Sequence, residues 1–234
     1  MANPKSSLFE KKGEDFWVEE YKKKGAYWAH DYKSVERPHA LLTSGNHSDG
    51  FFDSRPLIED ELLIREAAAE LYSLFKLKAE RNRSINKVVG PATGATKLAA
   101  LLANEIYDLT GQQCGWASPV KVCDGGEKKL IFKDPNHTIR AGERVLLCED
   151  VITTGESINL TTWSVIKLGG LVKRYVLVLV NRSGRRYING KFIISLVEKT
   201  AKIWTPEDCP LCSLGSEAIR PKGDENWARP NAEY

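Results

Sequence analysis

Residues 145–157 constrain the fold of this chain more than any other segment. The segment begins as an apolar run and reaches two adjacent carboxylates, Glu149 and Asp150. An apolar run without alternation is typical of a parallel strand that is covered on both faces. Open α/β sheets bind their ligands beyond the carboxyl ends of such strands. The segment therefore predicts an α/β fold with a ligand site at Glu149 and Asp150.

A hydroxyl-rich turn follows the two acids and leads into a predicted helix. It contains Thr153, Thr154, Gly155, Glu156 and Ser157. Hydroxyl groups and free amides at a helix N-terminus favour phosphate binding, and adjacent carboxylates can accept hydrogen bonds from the hydroxyl groups of a ribose 5-phosphate. We expect the Glu156 carboxylate to point outward, so that only its amide faces the phosphate. The alternative is an ordinary turn whose acids cap a helix, although neighbouring buried carboxylates repel each other and need partners.

The overall composition is that of a globular protein. The 234 residues are 42% hydrophobic and carry a net charge of +3, which supports a sizeable core and gives no indication of a nucleic-acid partner. No apolar run approaches the roughly 18 residues of a membrane-spanning helix, and residues 1–20 do not resemble a signal peptide. The odd number of cysteines, five, argues against a disulfide framework. We therefore expect a cytoplasmic protein that does not bind membranes.

Hydrophobic periodicity predicts alternating helices and strands in the middle of the chain. Helices are expected at residues 58–78, 95–109 and 157–168, and strands at residues 87–89, 113–117, 145–149, 171–180 and 192–197. This alternation favours a mainly parallel sheet flanked by helices. Residues 118–142 predict a long irregular segment of the kind that forms lids. The polar, Pro-rich residues from 205 onward predict a surface-hugging or loose tail.

Two further segments carry residues suited to binding anions. Thr93 and Gly94 lie in a Gly-rich turn after a predicted strand, where backbone amides can approach an anion closely. The alternative is that these glycines serve only the geometry of the turn. Lys121, Lys128 and Lys129 lie in the long irregular segment. A flexible basic lid would neutralise a departing pyrophosphate and exclude water, whereas lysines without such a role would simply be solvated.

The order of these segments resembles the orotate phosphoribosyltransferase family of type I phosphoribosyltransferases. The resemblance spans about residues 40–222 and extends beyond the turns and acids already described. Its further elements are the Ser-Gly-x-x-Ser run at residues 44–48, the pair Phe51 and Phe52, and the Asn-Arg-Ser-Gly sequence at residues 181–184. The tail at residues 206–212 is similar to the ending of one bacterial and archaeal branch.

The resemblance implies a type I phosphoribosyltransferase fold with a small hood built from both termini. Residues 1–56 would be a lead segment and part of the hood, residues 57–204 the core, and residues 205–234 the tail. The implied reaction joins orotate to phosphoribosyl pyrophosphate, with Mg²⁺ brought in on the substrate and no metal site in the protein. Phe51 and Phe52 would flank orotate, and Arg182 would meet its polar edge or carboxylate; otherwise Arg182 would be a surface salt-bridge residue. A homodimer is also implied.

Several residues depart from the family pattern. Gly94 stands where many members have Lys, and Lys121 stands where Arg is usual. Asn181 replaces Asp, and Glu156 replaces a small residue. These departures leave two alternatives open: a type I phosphoribosyltransferase for another base, and a non-catalytic protein that binds phosphoribosyl pyrophosphate.

The tail carries one half of a possible zinc site, at Cys209 and Cys212. A Cys-x-x-Cys pair needs a second pair of ligands to complete a tetrahedral site. The sequence shows no second cysteine pair and no histidine pair nearby in the chain. We therefore expect these two cysteines to be free thiols or to form a local disulfide.

Overall fold

The computed structural model describes residues 11–34, 36–42, 44–79, 84–221, 226, 228–230 and 232. The helices in these residues are α1 (Glu14–Lys23), α2 (Arg55–Glu59), α3 (Glu61–Lys78), α4 (Thr96–Thr110), α5 (Glu156–Lys167) and α6 (Pro210–Ser213). The strands are β1 (Tyr27–Ala29), β2 (His39–Leu41), β3 (His47–Ser48), β4 (Gly50–Phe52), β5 (Lys87–Val89), β6 (Gly115–Ala117), β7 (Val120–Asp124), β8 (Glu127–Ile131), β9 (Arg144–Ile152), β10 (Leu171–Asn181), β11 (Tyr187–Ile188), β12 (Lys191–Glu198), β13 (Ile203–Trp204) and β14 (Ala218–Ile219).

The central sheet confirms the predicted α/β fold. Its strand order is β11-β12-β10-β9-β5-β6. All neighbouring pairs from β12 to β6 are parallel, and only β11 is antiparallel. The parallel strands bring their carboxyl ends to one edge of the sheet. Because β9 lies in the middle of the sheet, the residues that follow its apolar run lie near the centre of that edge.

Helices cover both faces of the sheet, as the uninterrupted apolar run in β9 predicts. On one face, Leu146 and Cys148 belong to the large core cluster that also contains buried residues of α3 and α4. On the other face, Val145 and Leu147 pack with Ile158 and other residues of α5. Successive side chains of β9 thus enter opposite halves of the core, and the backbone of the strand is held from both sides.

A second sheet forms the hood. Its strand order is β13-β3-β2-β14, so it joins strands from the N-terminal part of the chain with strands from the C-terminal part. Strand β13 pairs with β3, and β14 pairs with β2. In the tail, Cys209 and Leu211 are each 1% exposed. The described part of the tail is therefore packed into the hood rather than loose.

Two sequence-based expectations about local structure are wrong. The helix expected at residues 58–78 is two helices, α2 and α3, because Asp60 has an extended backbone and its carboxylate caps α3 by accepting from the amides of Leu62 and Leu63. The irregular segment expected at residues 118–142 contains the antiparallel hairpin β7–β8. Among the described residues, no helix combines the length and apolarity that a bilayer crossing requires.

Candidate functional site

Glu149 and Asp150 lie in the last part of β9, at the carboxyl edge of the sheet. Glu149 is 6% exposed, and among the described residues its Oε2 has no hydrogen-bond partner. Its Oε1 accepts a hydrogen bond from the amide of Asp150 at 3.2 Å. Burial, and then the charge of Asp150, raise the pKa of Glu149 well above its usual value. A buried carboxylate oxygen without a partner is costly, so this atom is suited to a hydrogen-bond donor from a ligand.

The Gly-rich turn lies directly against the acid pair. A Cβ placed on Gly94 would lie 2.6 Å from Oδ2 of Asp150, a distance too short for any side chain at this position. The peptide bond between Ala92 and Thr93 in this turn is cis. The two segments that the sequence separates by more than 50 residues therefore meet at one point. Only glycine permits this approach of the turn to Asp150.

The turn at residues 153–157 lines a cleft of about 110 Å³ together with Glu149. Gly155 has φ +82°, and a Cβ there would lie 1.8 Å from Cδ1 of Ile188. The amide of Glu156 donates to Oγ1 of Thr154 at 3.4 Å. The first amides of α5 have no acceptor within the helix. The cleft thus combines hydroxyl groups and helix amides, which can donate to a phosphate, with a buried carboxylate, which can accept from a sugar hydroxyl group.

The basic hairpin β7–β8 lies on α5. Ser164 of α5 donates a hydrogen bond from Oγ to the carbonyl oxygen of Leu130. Lys128 Nζ lies 3.4 Å from Oε1 of Glu156, which places one of the three predicted lid lysines at the turn. Both of these side chains are about half exposed.

The other two lid lysines have different surroundings. Lys129 Nζ lies 3.6 Å from Oε2 of Glu127 on the hairpin. The described side chains include no hydrogen-bond or ion-pair partner for the Lys121 ammonium group. Neither lysine is brought to the turn in the way that Lys128 is. The hairpin is therefore a folded element. Of the three predicted lid lysines, Lys128 lies next to the cleft, and Lys121 and Lys129 do not.

Arg182 follows β10 and is buried rather than on the surface, with 6% exposure. Its Nη2 donates to the carbonyl oxygen of Gly50 at 2.7 Å and to Oγ of Ser48 at 3.2 Å. Among the described residues, its Nε has no partner. Burial lowers the pKa of Arg182 from its usual value, and the nearby Asp49 raises it. Arg182 therefore joins the core to the hood and retains an unused donor; the alternative of a surface salt bridge is wrong.

Phe51 and Phe52 are buried on opposite faces of β4. Phe51 packs with Trp28 and Ala40 in the hood. Phe52 packs in the main core and stacks on Tyr27, with ring centroids 4.3 Å apart. Both phenylalanines and Tyr27 line a small cavity of about 80 Å³. The predicted contact of these rings with a base stays a prediction.

The sequence does not show which partners several residues of this region contact. Ser48 and Gly50 contact Arg182 across more than 130 positions of chain. The stacking of Tyr27 on Phe52 depends on the pairing of β1 with β4. Ile188 covers Gly155 through β11, a two-residue strand with no clear pattern. Only the tertiary fold brings these residues to the site.

Two histidines stand beside the tail cysteines. His39 and His47, on neighbouring hood strands, have ring nitrogens within 4.8 Å of the sulfur atoms of Cys209 and Cys212. No histidine pair lies near the two cysteines along the chain, but in the folded structure His39 and His47 lie beside them. The reason is the pairing of the N-terminal and C-terminal parts of the chain in one sheet, which the sequence spacing does not reveal.

Two proteins similar in sequence to this chain are named orotate phosphoribosyltransferase. No established family profile matches the chain. An orotate phosphoribosyltransferase of Heliobacterium modesticaldum is 32% identical over 187 residues, which cover 78% of this chain and 88% of the relative. One of Campylobacter fetus is 29% identical over 205 residues, covering 78% of this chain and 90% of the relative.

Solved structures share the fold. The crystal structure of orotate phosphoribosyltransferase from Aeropyrum pernix matches with a TM-score of 0.54 and 26% identity, covering 77% of this chain and 92% of that chain. Adenine phosphoribosyltransferase from Thermoanaerobacter pseudethanolicus matches with a TM-score of 0.53 and 21% identity, covering 77% of this chain and 99% of that chain. The second similarity concerns the fold alone and leaves the choice of base to the site residues.

Proposed function

This chain belongs to the orotate phosphoribosyltransferase family, a family of pentosyltransferase enzymes, and we propose that it transfers a phosphoribosyl group to orotate with the site residues described above. The reaction forms a bond between N1 of orotate and C1 of the ribose. It breaks the bond between C1 and a pyrophosphate oxygen, and pyrophosphate leaves with the bonding electrons. The N1 proton of orotate is released, and the electron pair of its N–H bond becomes available for the new bond. The product is orotidine 5′-monophosphate, a precursor in pyrimidine biosynthesis.

The donor is proposed to lie along the carboxyl edge of β9. Its 5-phosphate would occupy the turn formed by Thr153, Thr154, Gly155, Glu156 and Ser157. Hydroxyl groups and helix amides are suited to that phosphate. The half-exposed Glu156 carboxylate is proposed to stay outside the cleft. Its amide, which donates to Oγ1 of Thr154 at 3.4 Å in this structure, would donate to the phosphate instead.

The two acids are proposed to hold the ribose hydroxyl groups. Oε2 of Glu149 is buried and has no partner among the described residues, so it would accept a hydrogen bond from one hydroxyl. Asp150 would accept from the other. As the bond from C1 to pyrophosphate breaks, positive charge develops on the ribose ring. Fixed carboxylates in a partly desolvated site stabilise that charge more in the transition state than in the ground state.

The pyrophosphate group is proposed to lie over Thr93 and Gly94. This turn contacts Asp150, so a donor whose ribose is held by the acids would place its C1 substituent there. Lys128 and Lys129 on the hairpin, with Lys121 on the partner strand, would neutralise the leaving group. For this the Lys128 ammonium would exchange its contact with Glu156 for one with the substrate.

Orotate is proposed to bind between the donor and the hood. The buried Nε of Arg182 has no partner among the described residues, and a guanidinium group suits a planar carboxylated base because its donors form a rigid fork. Phe51 and Phe52 would flank the base, with Tyr27 beside them. The cavity of about 80 Å³ at these rings is smaller than ordinary ligand sites, so binding would involve movement of the hood.

Magnesium is proposed to enter with the donor rather than to occupy a site of the protein. The site fits an ion carried by the substrate: Mg²⁺ usually keeps phosphate and water ligands with only one or two carboxylates, and the Asp150 carboxylate lies against the Gly-rich turn to which pyrophosphate is assigned. Bound Mg²⁺ would neutralise pyrophosphate oxygens. The acid pair would hold the ribose, and the hairpin would exclude water.

The observation that carries this proposal is the unpartnered oxygen of Glu149, a residue that lines the cleft together with the phosphate turn. The test is the release of pyrophosphate with Mg²⁺ and phosphoribosyl pyrophosphate in the presence of orotate, uracil, hypoxanthine or adenine. We expect turnover with orotate and little with the others. Turnover on another base without turnover on orotate would contradict the choice of base. Calorimetric donor binding without turnover of any base would indicate a non-catalytic protein.

The hairpin lysines give a second test. Replacing both Lys128 and Lys129 by Ala is expected to lower kcat about tenfold, equivalent to about 1.4 kcal/mol of transition-state stabilisation. The donor KM should change less, because the phosphate turn and acids remain. Steady-state kinetics would measure both constants. The matched control replaces the exposed Lys23 and Lys167, which lie outside the lid segment, and removes the same charge. Equal kinetics in the two double variants would contradict a lid role.

We also propose that the protein is a homodimer and acts in the cytoplasm. The dimer is supported by the family resemblance and would give a solution mass near twice 26.2 kDa in sedimentation equilibrium. The cytoplasmic location is supported by the odd number of cysteines, all five of which are free in the structure. The substrates are small molecules, and neither a nucleic acid nor a membrane is part of the proposed reaction.

A further inference from the structure

Four side chains with metal-binding atoms converge at a place in the hood that the proposed reaction does not use. They are His39, His47, Cys209 and Cys212, and their ligand atoms all lie within 4.8 Å of one another. His39 and Cys209 are each 1% exposed and His47 is 7% exposed, whereas Cys212 is exposed. The cluster is thus a nearly closed pocket of nitrogen and sulfur atoms with one side accessible from solvent.

The backbone explains how the four residues meet. In the β2–β3 hairpin, Leu41 is directly opposite His47. Side chains alternate along a strand, so His39 shares the face of Leu41 and is the diagonal neighbour of His47. Cys209 directly precedes α6, and Cys212 lies within it. The buried Leu211 of α6 fixes this turn in the hood. Two pairs of ligands from opposite ends of the chain therefore face each other.

The distances match a tetrahedral site. His39 Nε2 and His47 Nδ1 are 3.0 Å apart. Cys209 Sγ lies 3.4 Å and Cys212 Sγ 3.5 Å from His39 Nε2, and Cys212 Sγ lies 3.3 Å from His47 Nδ1. Zinc bond lengths of about 2.0 Å to nitrogen and about 2.3 Å to sulfur require separations of about 3.3 Å between nitrogens and about 3.5 Å between nitrogen and sulfur. The four measured separations would therefore change by at most a few tenths of an ångström, and the other two lie within 4.8 Å.

The hydrogen bonds around His39 orient it for coordination. Ser216 Oγ donates to the carbonyl oxygen of Arg37 at 2.6 Å, so its lone pairs face His39 Nδ1, which lies 2.9 Å away. We assign the ring proton to Nδ1, which leaves a lone pair on Nε2 directed at the cluster. A ligand histidine whose second nitrogen donates to a fixed acceptor is the usual arrangement at protein metal sites.

We propose that His39, His47, Cys209 and Cys212 bind one structural zinc ion. Two thiolates and two neutral imidazoles in tetrahedral positions are the donor set that zinc favours, and four protein ligands leave no position for catalysis. The ion would join β2 and β3 to α6, fixing together segments that are 170 positions apart. Such a bond would stabilise the hood because the unfolded chain has no preformed site.

The site also connects to the proposed base pocket, and this part of the inference rests on the proposed function. Ser48 follows His47 directly in β3, and its Oγ accepts a hydrogen bond from Arg182. A zinc ion that fixes His47 would therefore also fix the strand against which Arg182 is held. Removing the ion is expected to raise the KM for orotate more than the KM for the donor, because the phosphate turn belongs to the other sheet.

The test measures bound metal directly and does not depend on activity. Protein without an affinity tag is reduced, reconstituted with Zn²⁺, freed of excess metal and analysed by inductively coupled plasma mass spectrometry. We expect one zinc ion per chain, its loss in Cys212→Ser and His39→Ala, and its retention in the matched controls Cys123→Ser and His137→Asn. Retention of zinc by the cluster variants, or its loss in the controls, would overturn the proposal.

Cobalt binding guards against variants that fail to fold. Wild-type protein stripped of metal and titrated with Co²⁺ should develop the visible absorption of tetrahedral cobalt with thiolate ligands, saturating at one ion per chain and abolished by Zn²⁺. Absence of this absorption, or a Cys209–Cys212 disulfide that persists by intact mass after reduction and addition of metal, would overturn the proposal. These readouts remain valid if no base is turned over, so failure of the zinc site and failure of the proposed reaction are distinguishable.

Discussion

Replacing Glu149 by Gln is expected to lower kcat/KM by about 10²-fold or more, the magnitude typical of removing one preorganised electrostatic group from an active site. The substitution preserves the shape of the side chain but removes the negative charge that faces the ribose ring. Asp150→Asn should have an effect of similar size, because the two acids would hold neighbouring hydroxyl groups. Steady-state kinetics with orotate and donor would measure both variants.

The same Glu149 substitution is expected to stabilise the protein without substrate. Burial and Asp150 raise the folded pKa of Glu149 above its reference value of 4.5, so the folded state favours the protonated form. The stability associated with that proton is present below about pH 4.5 and is lost as the pH rises through the folded pKa. Glutamine carries no such proton, so the variant does not lose this stability. The Tm of Glu149→Gln should therefore exceed that of the wild type. The difference in Tm should grow as the pH rises through the folded pKa of Glu149 and then become constant.

A matched control separates charge at the site from charge elsewhere. Glu105 of α4 is also partly buried and has a raised pKa, caused first by desolvation, but it lies outside the site. Glu105→Gln should leave kcat/KM unchanged. Wild-type activity in both Glu149→Gln and Asp150→Asn would remove the acid pair from the mechanism, and a Glu149→Gln variant less stable than wild type at every pH would contradict the burial cost assigned to this carboxylate.

Replacing Gly94 by Ala is expected to reduce kcat/KM by about 10²-fold, because a displacement of about 1 Å at a reacting centre has effects of this size. The new methyl group would lie 2.6 Å from Oδ2 of Asp150 and 2.7 Å from its Cγ. Either the Gly-rich turn or the carboxylate must move. Both are assigned to the donor, so kinetics with varied donor should show the loss, while circular dichroism should show an intact fold.

Gly115 provides the control for this substitution. It lies on β6 and is exposed, and a Cβ there would approach only Cε of Lys87, at the ordinary contact distance of 3.4 Å. Gly115→Ala should behave like wild type in the same assay. If Gly94→Ala retained full activity, the contact between the turn and the acid pair would have no part in catalysis, and the placement of pyrophosphate over Gly94 would be contradicted.

The sequence predicts the core of this fold because its signals are local. The apolar run of β9, the acids after it and the helix that begins with Glu156 lie together in the chain, so their order alone indicates a strand, a turn and a ligand site. The pairing of β9 with β5 and β10 follows from the α/β alternation. The family resemblance adds the base and the donor, which local physics does not specify.

The hood is where sequence reasoning has least information. Its sheet joins residues near position 40 with residues near position 210, and no periodicity encodes such a pairing. The buried position of Arg182, its contacts with Ser48 and Gly50, and the approach of two histidines to Cys209 all depend on that sheet. The hairpin at β7–β8 differs because its signal is local: two short strands flank the Gly125-Gly126 pair, which favours a tight turn.

The most direct test of the central claim is a crystal structure with phosphoribosyl pyrophosphate and Mg²⁺ bound. We predict the 5-phosphate within the turn at residues 153–157 and the ribose hydroxyl groups at hydrogen-bond distance, about 2.5–3.0 Å, from Glu149 and Asp150. Donor density elsewhere, with the turn empty and both carboxylates facing the interior, would contradict the account.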